Sequence, residues 1–113
     1  MTKAVTSEML DHWQSWIGKT EKRTEILCPE VLRRFAAATG ADLDVEKTLP
    51  PLAHWAYFLP LAAGEDIGWD GHPKRGGFIP PIILAQRMFA AATMTLSSPL
   101  QLGLEATMHS VIT

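Results

Sequence analysis

Near the start of the chain, apolar residues recur at three- and four-residue steps: Met9, Leu10, Trp13, Trp16 and Ile17. That spacing predicts an amphipathic helix over 7–18 packed on its own core, with Thr6 or Ser7 as cap and Gly18 at its exit. Residues 20–27 are polar and read as a short edge strand. A second helix follows. Pro29 suits its first turn and Glu30 its positive dipole end, Val31, Leu32 and Phe35 form its buried side, and Gly40 suits the exit. From Asp42 to Pro51 the chain is polar and then proline-terminated, which predicts a loop.

Beyond Pro51 the pattern changes. His54, Trp55, Tyr57 and Phe58 make 54–59 dense in aromatic rings. Residues 60–81 are punctuated by Gly64, Gly68, Gly71, Pro73, Gly76, Gly77, Pro80 and Pro81. Irregular segments of that length in a small domain are usually functional or packed on a partner. Ile82 to Thr95 is apolar and fits helix or strand equally; Ser97-Ser98-Pro99 is a turn signal. After Gly103, Leu104, Ala106, Met108, Ser110 and Ile112 alternate with Glu105, Thr107, His109, Val111 and Thr113. This predicts a half-buried strand with His109 on its solvent face.

Composition narrows the class. The 113 residues are one domain's worth, 47% hydrophobic and 19% charged, which is globular rather than disordered. A net charge of -2 offers no basic footprint for nucleic acid. The pairs Lys22-Arg23, Arg33-Arg34 and Lys74-Arg75 read as solvated faces. A lone Cys28 excludes an internal disulfide, fits a reducing compartment and is expected as a small buried hydrophobe. The first residues lack a signal-peptide pattern, and the apolar run Phe78–Ala85 is proline-broken and too short for a bilayer, so the expected location is the cytoplasm. No nucleotide-binding motif and no metal-ligand spacing occurs.

Several blocks carry a resemblance when read in order. They are Trp16-Ile17-Gly18-Lys19-Thr20-Glu21, Leu32-Arg33-Arg34-Phe35-Ala36, Pro50-Pro51-Leu52-Ala53-His54-Trp55, Arg87-Met88-Phe89-Ala90 and Ser98-Pro99-Leu100-Gln101-Leu102-Gly103. The most specific is Asp70-Gly71-His72-Pro73-Lys74-Arg75-Gly76-Gly77-Phe78-Ile79-Pro80-Pro81. Together they resemble the N-terminal dehydratase domain of MaoC-like hydratases, of the mesaconyl-CoA and 3-methylfumaryl-CoA hydratase type. The resemblance implies an α+β hotdog fold, a long helix wrapped by an antiparallel sheet. It further implies that residues 1–113 are the incomplete N-terminal half of a double hotdog, truncated at its C-terminal strands. The implied reaction is addition or removal of water at the α,β double bond of an acyl-CoA thioester. In place of the glycines that relatives carry after the Arg-Met-aromatic segment, this chain has Ala90-Ala91-Ala92.

Such a hydration needs a group that moves protons, a second that orients it, and an oxyanion site. In the family the first two are an aspartate and a histidine separated by four residues. Five positions after Asp11, Asp42, Asp44, Asp66 and Asp70 stand Trp16, Lys47, Leu49, Gly71 and Arg75, none of them histidine. No catalytic residue is therefore assigned, and whether this chain is itself an enzyme stays open. The weak substitutes are Asp70, His72 and His54. His72 beside carboxylates suits a general base, but an exposed loop whose Asp70 bonds its own backbone explains the same residues. His54 is read first as a satisfied, partly buried anchor for the aromatic cluster and only second as catalytic.

Substrate contacts are expected from His54, Trp55, Phe58 and Phe78 along segments 52–60 and 78–89. Lys74 and Arg75, followed by Gly76-Gly77, can offer charge and N–H groups to a CoA phosphate. No metal or cofactor is expected, CoA being part of the substrate. The expected partners are an acyl-CoA thioester and a catalytic hotdog domain or subunit, in a homo- or hetero-oligomer such as a dimer. The alternative is a non-catalytic hotdog module that binds and assembles without turnover, because an exposed sheet edge after Ile112 would demand a partner.

Overall fold

The computed structural model describes residues 4–42 and 47–113. In order they form α1 (Ser7–Gln14), β1 (Thr20–Ile26), α2 (Pro29–Thr39), short 3-10 turns at Ala53–Ala56 and Gly64–Asp66, and β2 (Glu105–Val111). The class is α+β. The chain divides into two compact units. The first takes in the chain up to Glu21, Pro60–Ala92 and His109–Thr113; the second takes in Lys22–Leu59 and Thr93–Met108.

Strands β1 and β2 pair. Backbone bonds outside the strand ends fix an antiparallel register. In the first unit Gly18 N–H donates to Ile112 O (2.7 Å) and Ile112 N–H to Lys19 O (3.0 Å). In the second, Leu27 N–H donates to Leu104 O (3.0 Å) and Gly103 N–H to Leu27 O (2.8 Å). The Thr24 and Thr107 hydroxyls meet at 3.1 Å, a cross-strand pair of the kind that supports a ladder. Both predicted strands are present, and β2 alternates as expected, with His109 exposed.

The buried residues, among those described, lie in the second unit: Leu27, Leu32, Leu49, Ala53 and Tyr57, of which Leu27 and Leu32 are fully buried. Helix α2 forms as its sequence directs. Pro29 opens it where an N–H would be unpaired anyway, Leu32 is its buried residue, and Val31 and Phe35 pack against the same core. It ends at Gly40 with φ +69, a left-handed cap that glycine adopts without steric cost. Leu49 reaches this core on a short bridge in which Thr48 pairs antiparallel with Gln101. The loop expected over 42–51 falls partly on 43–46, outside the described residues.

Three elements differ from what the sequence predicts. Helix α1 stops at Gln14 rather than 18, and its apolar stripe is not packed in a core. None of its residues is buried, and Leu10 and Ile17 are 49% and 59% exposed. Periodicity tells which residues share a face, not whether anything covers it. Next, Ile82–Thr95 is neither helix nor strand, and Met88 and Phe89 are 87% and 80% exposed. An extended segment becomes a strand only beside another backbone that takes its N–H and C=O groups. Cys28, expected inside, is exposed. It is the residue before α2, where the chain turns out of β1, and it makes no side-chain capping bond.

In the first unit no described residue is fully buried, and polar ties are prominent. Gly77 O accepts both Trp16 Nε1–H and Lys19 Nζ–H at 2.9 Å, and the Lys19 ammonium lies 5.0 Å from the Trp16 ring centroid. These contacts join the turn after α1 to the glycine-rich segment, and the cation over the indole face adds its own attraction. No helix is long and apolar enough to cross a membrane among the described residues.

Candidate functional site

The block that carried the resemblance is an ordered loop in the first unit. Ile67 and Pro73 form an antiparallel bridge, Gly68 N–H donates to His72 O (2.7 Å), and Gly71 N–H to Gly68 O (3.0 Å). Lys74 N–H closes the base by donating to Asp66 O (2.8 Å). Gly71 sits at φ +79, where a side chain would be strained. Aspartate at a turn accepts the N–H two residues on, and Asp70 Oδ1 does so from His72 at 3.1 Å. Its other oxygen, Oδ2, accepts Arg87 Nε–H at 2.8 Å, and Arg87 also reaches Pro73 O at 3.4 Å.

Asp70 is therefore doubly engaged. The His72 N–H, and after it the Arg87 guanidinium, hold its carboxyl below the usual carboxylate range. Arg75 donates to the carbonyls of Ile82 and Leu84, so it is not simply solvated as the sequence suggested. Lys74 and His72 are exposed, and Phe78 is half-buried. Trp69, Asp70, Lys74, Arg75 and Arg87 surround a cleft of about 180 Å³. A neighbouring recess of about 410 Å³ shares Trp69, Asp70 and Arg87 and adds His72 and Met88.

The second unit holds a cavity of about 380 Å³, the size of a small-molecule pocket. Its walls are Leu49–Leu52, His54 and the turn 96–100. His54 is half-buried on the 3-10 turn, with its ring 6.0 Å from that of Trp55, which is 55% exposed. Next to it the backbone turns sharply. Phe58 has φ +58, an uncommon conformation for a bulky residue. Two β1 side chains clamp it: Arg23 donates to Phe58 O (2.7 Å), and Phe58 N–H donates to Glu25 Oε2 (2.6 Å). Tyr57, buried beside it, donates its hydroxyl to Cys28 O at 2.6 Å.

The predicted residues thus fall into two groups: His54, Trp55 and Phe58 in the second unit, and Asp70, His72, Lys74, Arg75 and Phe78 in the first. His54 lines the second-unit cavity, and Lys74 and Arg75 line the first-unit cleft. Sequence reasoning missed Trp69 and Arg87 as members of that cleft. Arg87 had a signal, since it begins one of the blocks behind the resemblance. It also missed the clamp on Phe58. The signal there was the alternation of Glu21, Arg23 and Glu25 along a strand, which places three charges on one half-buried face. Among the described residues no group of three or more His, Cys, Asp or Glu could hold a metal ion.

An α+β chain whose ordered loop is built from the Asp70–Pro81 block is, by sequence, a MaoC-like hydratase-type domain. The similarity that shows it is to the mesaconyl-C(4)-CoA hydratase of Chloroflexus aurantiacus, at 43% identity over an alignment of 106 residues. That alignment takes in 88% of this chain and 37% of the relative, so the chain spans little more than a third of that protein's length. No protein-family profile matches the chain.

Proposed function

We propose that this chain is the front, pocket-forming part of a hydro-lyase that adds or removes water at the α,β double bond of an acyl-CoA thioester, built as the N-terminal hotdog of a double hotdog. The observation that carries this reading is the similarity over 88% of the chain to a protein named as a CoA-ester hydratase. Two helices and a two-stranded antiparallel sheet are compatible with a hotdog fold. In this reading the Asp-x4-His pair, absent from the sequence, comes from a catalytic hotdog domain or subunit.

The chain's own residues then bind rather than react. His54, Trp55 and Phe58 in the second unit, and separately Phe78, Lys74 and Arg75 in the first, are the candidate contacts for the acyl-CoA thioester, the two basic residues suiting its phosphates. Binding energy from parts of the substrate remote from the double bond positions it for the acid/base pair. No resident metal or cofactor is invoked. The working protein is a homo- or hetero-oligomer in the cytoplasm.

The test is a hydration assay that follows loss of enoyl-thioester absorbance. The chain alone should give no turnover, and a catalytic hotdog carrying Asp-x4-His should work faster with this chain than without it. Equal rates for that partner with and without the chain would overturn the proposal.

A further inference from the structure

The cleft and recess around Trp69 have a chemistry more specific than generic thioester binding. Trp69 is 84% exposed, yet it stands on a loop fixed by the Ile67–Pro73 bridge and the bonds across 66–74. The ring is presented to solvent by a tied backbone. Around it stand three cations, Lys74, Arg75 and Arg87, against one carboxylate, Asp70. Both oxygens of that carboxylate are occupied, by His72 N–H and by Arg87, which blunts its repulsion of an anion. Arg75 is fixed by the Ile82 and Leu84 carbonyls, which orient the guanidinium without removing its charge. An exposed indole beside a net positive cleft matches a base to stack and a phosphate to pair.

We propose that this place in the first unit is the subsite for the 3′-phosphoadenosine diphosphate end of CoA. Adenine stacks on Trp69 along the larger recess, and phosphate oxygens meet Lys74, Arg75 and Arg87. The inference rests on the acyl-CoA reading above and deepens it, because a carrier protein bears phosphopantetheine and has no purine to stack. Met88, 87% exposed on the same recess, adds an apolar, polarisable edge for the ring.

The experiment is calorimetric titration of the chain with CoA, dephospho-CoA, ADP and phosphopantetheine, repeated with Trp69→Ala and Lys74→Ala. Both residues are exposed, and circular dichroism checks that the variants keep the fold. CoA should bind tightest, dephospho-CoA several-fold weaker and phosphopantetheine about tenfold weaker or more, the scale of one stacked base. Trp69→Ala should weaken CoA by about tenfold and leave phosphopantetheine unchanged. Lys74→Ala should weaken CoA and flatten the salt dependence of binding. Equal affinity for CoA and phosphopantetheine, undiminished CoA binding by Trp69→Ala, ADP binding as tight as CoA, or no CoA binding would each overturn the assignment. Its failure is distinct from that of the hydratase reading. Partnered turnover with the same KM for enoyl-CoA and enoyl-pantetheine would sink the subsite and leave the hydratase, whereas Trp69-dependent CoA binding without turnover would do the reverse.

Discussion

Arg87 Nε donates to Asp70 Oδ2 at 2.8 Å across seventeen positions of sequence, and this pair ties the apolar stretch after Pro81 back to the loop that carries the family resemblance. Asp70→Asn and Arg87→Ala should each loosen residues 66–74. Hydrogen exchange should then quicken at Gly68, Gly71 and Lys74 while the amides of the β1–β2 ribbon keep their protection. Unchanged loop exchange in both variants would show that the backbone bonds alone hold the loop.

The same pair predicts an acid response. The folded-state pKa of Asp70 lies below its ordinary value of 3.8, so the carboxylate contributes stability at neutral pH. That contribution starts to erode as pH falls toward 3.8 and is lost only as pH drops through the lower folded value. Fluorescence of Trp69, next in sequence, should report the change, and Asp70→Asn should remove that component of the titration.

Tyr57 is the chain's single tyrosine, so its ultraviolet titration can be followed without overlap from others. Burial, and after it the neighbouring Cys28, push the phenol above its ordinary 10.0. Its contribution to stability is complete below that value and is lost as pH rises through the folded pKa. A native midpoint at or below that of the unfolded chain would contradict the geometry. Tyr57→Phe, which removes this donor from a Cys28 carbonyl that still accepts the Val31 N–H, should cost about 0.5–1.5 kcal/mol in urea unfolding.

Glu25 accepts the N–H of a residue held at positive φ. Removing that acceptor with Glu25→Ala should destabilise the chain by about 1.5–3 kcal/mol, the range for hydrogen bonds to charged groups. Glu25→Gln keeps an acceptor and should recover part of the loss. If both variants match the wild type in urea unfolding, the clamp on Phe58 is not holding the turn.

Cys28 is exposed despite its apolar character. A thiol reagent should therefore modify it in the folded chain without denaturant, to one equivalent per chain. Modification that begins only on unfolding would place the thiol inside.

Local rules explain which elements were legible in the sequence. Pro29, Leu32 and Gly40 define α2 because first-turn geometry, a 3.6-residue period and a left-handed cap are properties of short stretches. β2 was legible because alternation is likewise local, and the Asp70–His72 turn because an aspartate reaches the N–H two residues on. That no Asp-x4-His pair occurs in these residues is likewise read directly from the sequence. Tertiary structure decided the rest. It left the α1 stripe largely uncovered, left 82–95 without a strand's partner and put Cys28 outside. It also brought Arg87 to Asp70, and Arg23 and Glu25 to Phe58. Burial and long-range hydrogen bonds depend on which distant segment arrives, and no periodicity along the chain encodes that arrival.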